Sequence, residues 1–153
     1  MSVPYSVRPF RLSDLDRICQ IEHLSFGKDA YPRNLFADFY YKCRGLFLVV
    51  ERDSTLWGYM ITCRSGDRAE LVSVAVAPEA RSRGAASALM ESTLRRLRRA
   101  GVARIRLMVR VRNRKARAFY EKYGFAKVRI VPRYYSDAAD ALMMAREVTS
   151  AQK

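Results

Sequence analysis

The apolar positions along this 153-residue chain change period several times, and each change marks an element. "YSVRPF" reads as a short first strand. In "LSDLDRICQIEHLSF", Leu15, Ile18, Ile21 and Leu24 recur every three positions. That spacing predicts a helix, with Ser13 as its cap and Asp16 completing a capping box. Pro32 suits the first turn of a second helix, "PRNLFADFYYKCR". Three strand-like runs follow, "GLFLVVER", "LWGYMITCRS" and "AELVSVAV", separated by the turn-forming "DST" and "SGD". Pro78 stops the third run. A long helix from about Gly84 to Ala100 carries the stripe Ala86, Met90, Leu94 and Leu97, and Gly101 ends it. "ARIRLMVRVRN" alternates cleanly. Ile105, Leu107, Val109 and Val111 face one way; Arg104, Arg106, Met108, Arg110 and Arg112 face the other. "NRKARAFYEKYG" reads as a last helix between its cap Asn113 and Gly124. "FAKVRIV" and "DALMMAREV" read as two final strands joined by "PRYYSDAA". The order βααβββαβαββ predicts an α/β (α+β) domain around one mixed sheet, spanning residues 1–148, with 149–153 as a frayed tail.

Composition narrows the class. Half of the residues are apolar, so a disordered chain is excluded, and the length suits one domain with a full core. Runs such as "VAVA" and "LFLVV" are far too short to cross a bilayer, and "MSVPYSVRPF" leads us to expect no secretory signal. Cys19, Cys43 and Cys63 are widely spaced and odd in number, which suggests neither a disulfide framework nor a zinc site. The cytoplasm follows as the default compartment. The net charge of +14, from 29 basic and 15 acidic residues, points to acidic partners without separating nucleic acid, acidic peptide and phosphorylated cofactor.

The stretch "APEARSRGAASALM" carries the first chemical signal. It lies after a strand and opens a long helix, where free backbone N–H groups and the helix dipole favour an anion. Gly84, Ala85 and Ala86 let an anion approach the backbone, and Arg81 and Arg83 add charge at the rim. Neither a P-loop nor a GxGxxG turn is present. Read without relatives, the loop is either a pyrophosphate site or a solvated basic turn.

Arg81-Ser82-Arg83-Gly84-Ala85-Ala86 resembles the [Q/R]-x-x-G-x-[G/A] signature of the GNAT N-acetyltransferase superfamily. "LVSVAVAPEAR" before it and "NRKARAFYEKYGF" after it strengthen the resemblance, most of all over residues 70–126. The resemblance implies a mixed, mostly antiparallel sheet of about seven strands flanked by four helices. It also implies acetyl-CoA as co-substrate, with its pyrophosphate in the loop and its pantetheine arm along the backbone of Val74, Ala75 and Val76, on a strand that splays from its neighbour. Asn113 would contact the same cofactor while also capping its helix. "VPRYYSDAADALMM" is similar to protein N-terminal acetyltransferases of the RimI type. In such enzymes a Tyr-Tyr loop and an aromatic loop between the first two helices flank the peptide groove; here these are Tyr134-Tyr135 and Tyr31-Pro32.

Acetyl transfer to an amine needs a neutral amine, a polarised carbonyl and a protonated leaving thiol. Tyr120 stands at the family's general-acid position, with core packing as its other reading. The usual glutamate of the RimI-type strand is replaced by Met108, which takes no proton. Glu70, at the start of "AELVSVAV", is the substitute we expect, with a water as the alternative and Asp29 and His23 as weaker candidates. The expected activity is acetylation of a protein N-terminal α-amine, a ribosomal protein for instance. A small-molecule amine acetyltransferase and a non-catalytic acyl-CoA-binding module are the alternatives. No metal, membrane contact or direct nucleic-acid readout is expected, and a monomer or weak dimer suffices. The "RRLRR" run reads as a solvated helix face. The arginines of the alternating strand, Arg104, Arg106, Arg110 and Arg112, need acidic partners or water; the cofactor's phosphates, an acidic N-terminus and the ribosome surface are the partners expected for some of them.

Overall fold

The computed structural model describes residues 4–148. Its elements follow the predicted order: β1 (Ser6–Pro9), α1 (Leu15–Phe26), α2 (Arg33–Lys42), β2 (Phe47–Arg52), β3 (Thr55–Ser65) and β4 (Arg68–Val76), then α3 (Ala85–Arg99), β5 (Arg104–Arg110), α4 (Arg114–Lys122), β6 (Ala126–Val131) and β7 (Ala141–Glu147). The proposed tail, 149–153, lies outside the described residues. All seven strands form one sheet in the order β1-β2-β3-β4-β5-β7-β6. Every pairing is antiparallel except β4 with β5.

Strand β2 shows why the sheet holds two layers of helix. Its run "FLVV" is buried on both faces. Leu48 and Val50 join a core with Leu89, Met90, Leu97 and Ile105 on the α3 side. Phe47 and Val49 join Ile18, Ile21, Phe36 and Tyr59 on the side of α1 and α2. Period-two alternation sends successive side chains into opposite layers, and each buried Leu, Val or Phe contributes about 1.5–3 kcal/mol of transfer free energy.

Four expectations need correction. Ser13 does not cap α1: a 3-10 turn over Leu12–Asp14 precedes the helix, and Asp14 takes the structural role. Its carboxylate accepts from the Arg11 N–H at 2.8 Å, and Arg8 grips it at 2.9 Å while also reaching Glu51 at 3.2 Å. Leu24 is 55% exposed, because an every-third-residue pattern drifts around a helix with 3.6 residues per turn. The buried face of α3 is Ala85, Leu89, Met90, Ser92, Thr93, Leu94 and Leu97; Ala86 points away from it. Finally, Cys43 and Cys63 are joined as a disulfide, their Cα atoms 4.7 Å apart, with Cys19 free. The pair links the end of α2 to β3, a tertiary proximity that sequence spacing does not encode. It removes the thiol-based reason for expecting a reducing compartment. Among the described residues no helix is long and apolar enough to cross a membrane.

The Arg8–Asp14 pair yields a pH prediction. Burial alone would raise the Asp14 carboxyl, but the Arg8 guanidinium and the Arg11 N–H overcome it and hold it below the usual carboxylate range. A depressed carboxyl stabilises the fold above its unfolded value of about 3.9, and that contribution is lost as pH falls through the folded value. Arg8→Ala is expected to cost about 2 kcal/mol at neutral pH, between an exposed and a fully buried pair. Urea unfolding at pH 7 and at pH 3 should show the gap between variant and wild type narrowing in acid.

Candidate active site

The parallel pair at the centre of the sheet does not run its full length. β4 and β5 pair only from Arg68–Arg104 to Leu71–Leu107, although β4 continues to Val76 and β5 to Arg110. Beyond Leu71 the strands part, and two cavities fill the opening. One, of about 790 Å³, is lined by Glu22, Tyr31, Ser73, Met108, Tyr135 and Asp137 among others. The second, of about 580 Å³, is lined by Val76, Ser82, Gly84, Ala86, Ser87 and Phe119 among others. Val74, Asn113, Ala116 and Tyr120 border both, so the two meet at Tyr120.

The second cavity ends at the loop before α3. Ser82 and Gly84 there adopt left-handed φ angles of 62° and 92°. A non-glycine residue held in that region stores backbone strain and marks a loop shaped for a purpose. Left-handed positions alternating along a loop aim successive N–H groups at one point, an anion-binding concavity at the positive end of the α3 dipole. Gly84 is needed for its φ, and a Cβ added there would meet nothing within 4 Å, so the space in front of the loop is open. These features fit a diphosphate.

The expected cofactor residues divide in their placement. Val74, Ala75, Val76, Arg81, Ser82, Gly84, Ala86, Asn113 and Tyr120 all line this cavity. Arg83 is exposed and Ala85 is buried in the core, so neither lines it. Arg81 donates from Nε to the Val76 carbonyl at 3.0 Å and from Nη2 to Ser25 Oγ at 3.2 Å, which ties the loop back to β4 and α1. Asn113 Oδ1 accepts from the Ala116 N–H at 3.1 Å, the predicted cap.

Tyr120 is 7% exposed. Burial pushes its phenol well above the ordinary tyrosine value, with the Tyr135 hydroxyl adding a smaller push in the same direction. It therefore stays protonated throughout the neutral range. Across the first cavity, Tyr31 packs against Phe36 and Phe39, and burial raises its phenol too. Tyr135 also lines the cavity, with the Arg110 guanidinium 4.1 Å from its ring centroid and Arg110 bonded to Asp137 at 2.9 Å. Tyr134 sits outside the lining, 47% exposed and edge-on to Tyr135.

Sequence reasoning missed Glu22. It is 2% exposed, yet it lines the cavity that holds Tyr120 and Met108. Oε2 accepts from the Tyr31 N–H at 2.9 Å, and Oε1 accepts from the Tyr59 hydroxyl, which also lies 3.3 Å from Ser73 Oγ. Burial raises its carboxyl above the ordinary glutamate value, against the pull of Tyr59 and Tyr31. A signal was present: Glu22 stands four residues after Ile18, inside the apolar stripe of α1, where a carboxylate needs a reason. Glu70 lies elsewhere. It borders a third cavity and is held by Arg106 at 3.3 Å, though its charge still reaches Tyr31. Asp29 lines the first cavity and His23 is exposed.

A parallel strand pair that parts beside an anion-binding helix start, with a buried phenol at the junction, is the arrangement expected from the resemblance to N-acyltransferases that draw on coenzyme A. The chain belongs to the acetyltransferase (GNAT) family, whose model matches residues 14–125. Acetyl-CoA is the acetyl donor. The chain is 32% identical to a putative ribosomal protein bS18-alanine N-acetyltransferase of Bacillus subtilis, over 94% of this chain and 96% of that one. It is 31% identical to an N-alpha-acetyltransferase of Saccharolobus solfataricus, over 93% and 92%. The crystal structure of Ard1 from Thermoplasma volcanium superposes with a TM-score of 0.92 at 30% identity, covering 97% of this chain and all of that one.

Proposed function

We propose that this chain transfers the acetyl group of acetyl-CoA to the N-terminal α-amine of a protein, a ribosomal protein being a fitting acceptor. The supporting observation is electrostatic. In a chain of net charge +14, the cavity leading to Tyr120 sets Glu22, Asp29 and Asp137 against Lys28 and Arg110, with Arg110 already paired to Asp137, so an amine meets less repulsion there than the net charge would suggest. Tyr31 and Tyr135 flank the path such an amine would take, with Tyr134 at its outer edge. The names of the relatives point the same way, and a small free amine or a purely binding role is disfavoured by them. The described residues act as one domain, as a monomer or weak dimer. The cytoplasm, where acetyl-CoA and new N-termini coincide, is the matching compartment.

Bound acetyl-CoA supplies a thioester. The Ser82–Ala86 backbone holds its diphosphate, the free edge of β4 around Val74 holds its arm, Asn113 flanks it, and Tyr120 delivers a proton to the departing thiolate. An α-amine, with a pKa of about 7.7–8.0, is roughly a tenth neutral at pH 7, whereas lysine, at about 10.4, is neutral only to about 0.04%. The gap of about 3.3–3.7 kcal/mol means that a site with a weak base favours α-amines. Peptides that differ only in which amine is free should separate by about 250-fold or more in rate. An equal rate on the peptide whose N-terminus is blocked and whose only free amine is a lysine would overturn the assignment.

Two carboxylates compete as the proton acceptor. Glu70 is the one its strand position suggests, though it borders a different cavity and is held by Arg106. Glu22 shares a cavity with Tyr120, and its raised carboxyl is closer to a base poised for neutral pH. Thiol-release assays should show Glu22→Gln lowering kcat about 10- to 100-fold and Glu70→Gln less than about 5-fold, within the range of general-base contributions. The reverse order would assign the role to Glu70, and no effect in either would leave it to water.

A further inference from the structure

A second group of cations, apart from those around the cofactor loop, stands at the far end of α3. α3 runs 15 residues from that loop to its last turn, about 21 Å at 1.5 Å per residue. At the far end, Lys42, Arg44, Arg64 and Arg96 line a cavity of about 370 Å³ with no acidic side chain in its wall. They come from three different elements: the end of α2, the end of β3 and the last turn of α3. Arg95, Arg98 and Arg99 stand exposed on the same end of α3. Arg64 also borders the neighbouring cavity with Arg68, Arg104 and Arg106. The carboxylates at this end are Asp67, Glu70 and Glu147, in loose exposed pairs at 3.3–3.9 Å. Such pairs neutralise little of the field.

A second observation lies beside the cations. Tyr41 is 64% exposed, the most exposed of the large apolar side chains among the described residues. It stands edge-on to Tyr40 at 5.0 Å, and the Arg44 guanidinium lies 5.6 Å from the Tyr40 ring centroid. Neither tyrosine borders the catalytic cavities. A solvent-facing ring next to Lys42 and Arg44 offers a flat surface of the kind on which a nucleobase stacks.

We propose that this pole is a docking site for RNA, held through its phosphates by the arginines and through an unpaired base by Tyr41. Arginine forks match phosphate oxygens bidentately. The cations spread over five elements and two adjoining cavities, which suits a continuous polyanion better than the few carboxylates of an acidic peptide. No base-reading motif accompanies them, so the binding follows charge and stacking and is indifferent to sequence. The site shares no lining residue with the two cavities that meet at Tyr120 and leaves both free, Glu70 alone standing at its border.

Fluorescence anisotropy with a labelled 20-nucleotide oligouridylate tests this. Raising salt from 50 to 200 mM should weaken binding about 20- to 50-fold, as three or four phosphate contacts to a single strand require. The charge reversal Arg64→Glu/Arg96→Glu/Arg99→Glu should weaken binding at least about 10-fold at 50 mM salt and flatten the salt slope. Tyr41→Ala should weaken it about 5-fold or more while leaving the slope unchanged. Lys42→Glu/Arg44→Glu, on a different element, repeats the charge test should the triple variant fail to fold. Each variant should acetylate peptide at the wild-type rate in the absence of RNA. Saturating coenzyme A should not release the oligonucleotide. The proposal is overturned by wild-type affinity in the charge-reversed variants, by displacement with coenzyme A, or by equally tight, Tyr41-independent binding of polyglutamate.

Discussion

Tyr120→Phe is expected to lower kcat by about 10²- to 10⁴-fold, the range of a positioned general acid, with KM for acetyl-CoA changed by less than about 3-fold. The substitution removes one oxygen from a ring that is otherwise core. Tyr120 packs edge-on against Phe119 and Phe125, and those contacts survive in phenylalanine. Stability should therefore hold while chemistry fails, and this separates the proton-donor role from the packing role. The pH profile adds a second check. Because burial raises the phenol, Tyr120 keeps its proton to well above pH 8. A loss of wild-type kcat on the alkaline side between pH 7 and 9 would assign a different group as the acid. Full activity in Tyr120→Phe would reduce the residue to packing.

Ala86→Glu is expected to raise KM for acetyl-CoA about 100-fold or more. Ala86 lines the cavity in front of the loop and does not belong to the buried face of α3. A glutamate there sets a carboxylate in the anion's place. Two unit charges about 4 Å apart repel by about 4 kcal/mol near a protein surface, before salt screening reduces the figure. It also fills open space without touching the core, so the fold should be unaffected. Titration calorimetry with coenzyme A gives the readout, and unchanged affinity would mean that the diphosphate lies elsewhere. Ala86→Gly, which opens the same space without charge, should bind coenzyme A within a few-fold of wild type.

Local features were legible in the sequence because they are local. The strand and helix order came from period changes, the Asn113 cap from residue type, and the loop before α3 from a glycine between small residues and arginines. The site itself required the third dimension. Nothing in the residues of "AELVSVAV" or "RIRLMVR" says that two parallel strands part after Leu71, since both segments read as unbroken strands; only the family resemblance implied that the strand of Val74 and Val76 splays from its neighbour. Glu22 was hidden by its helix, where an acidic residue looks like a surface residue until Tyr59 and the Tyr31 N–H close around it. Leu24 erred in the opposite direction, as an apolar side chain on a helix that had already turned away from the core. The Cys43–Cys63 pair joins positions 20 apart whose meeting depends on how α2 is laid across β3.

The parted strands leave β4 from Val72 onward without a neighbour on the β5 side. That is an unprotected edge in the interior of a sheet, and an unprotected edge is a template for a strand from another molecule. An acetyl donor lying along it, as proposed above, would close the template as well as supply the reaction, and by mass action would favour the folded, separate state. Self-association of this protein is thus expected to fall as acetyl-CoA is added, which light scattering with and without the donor would show.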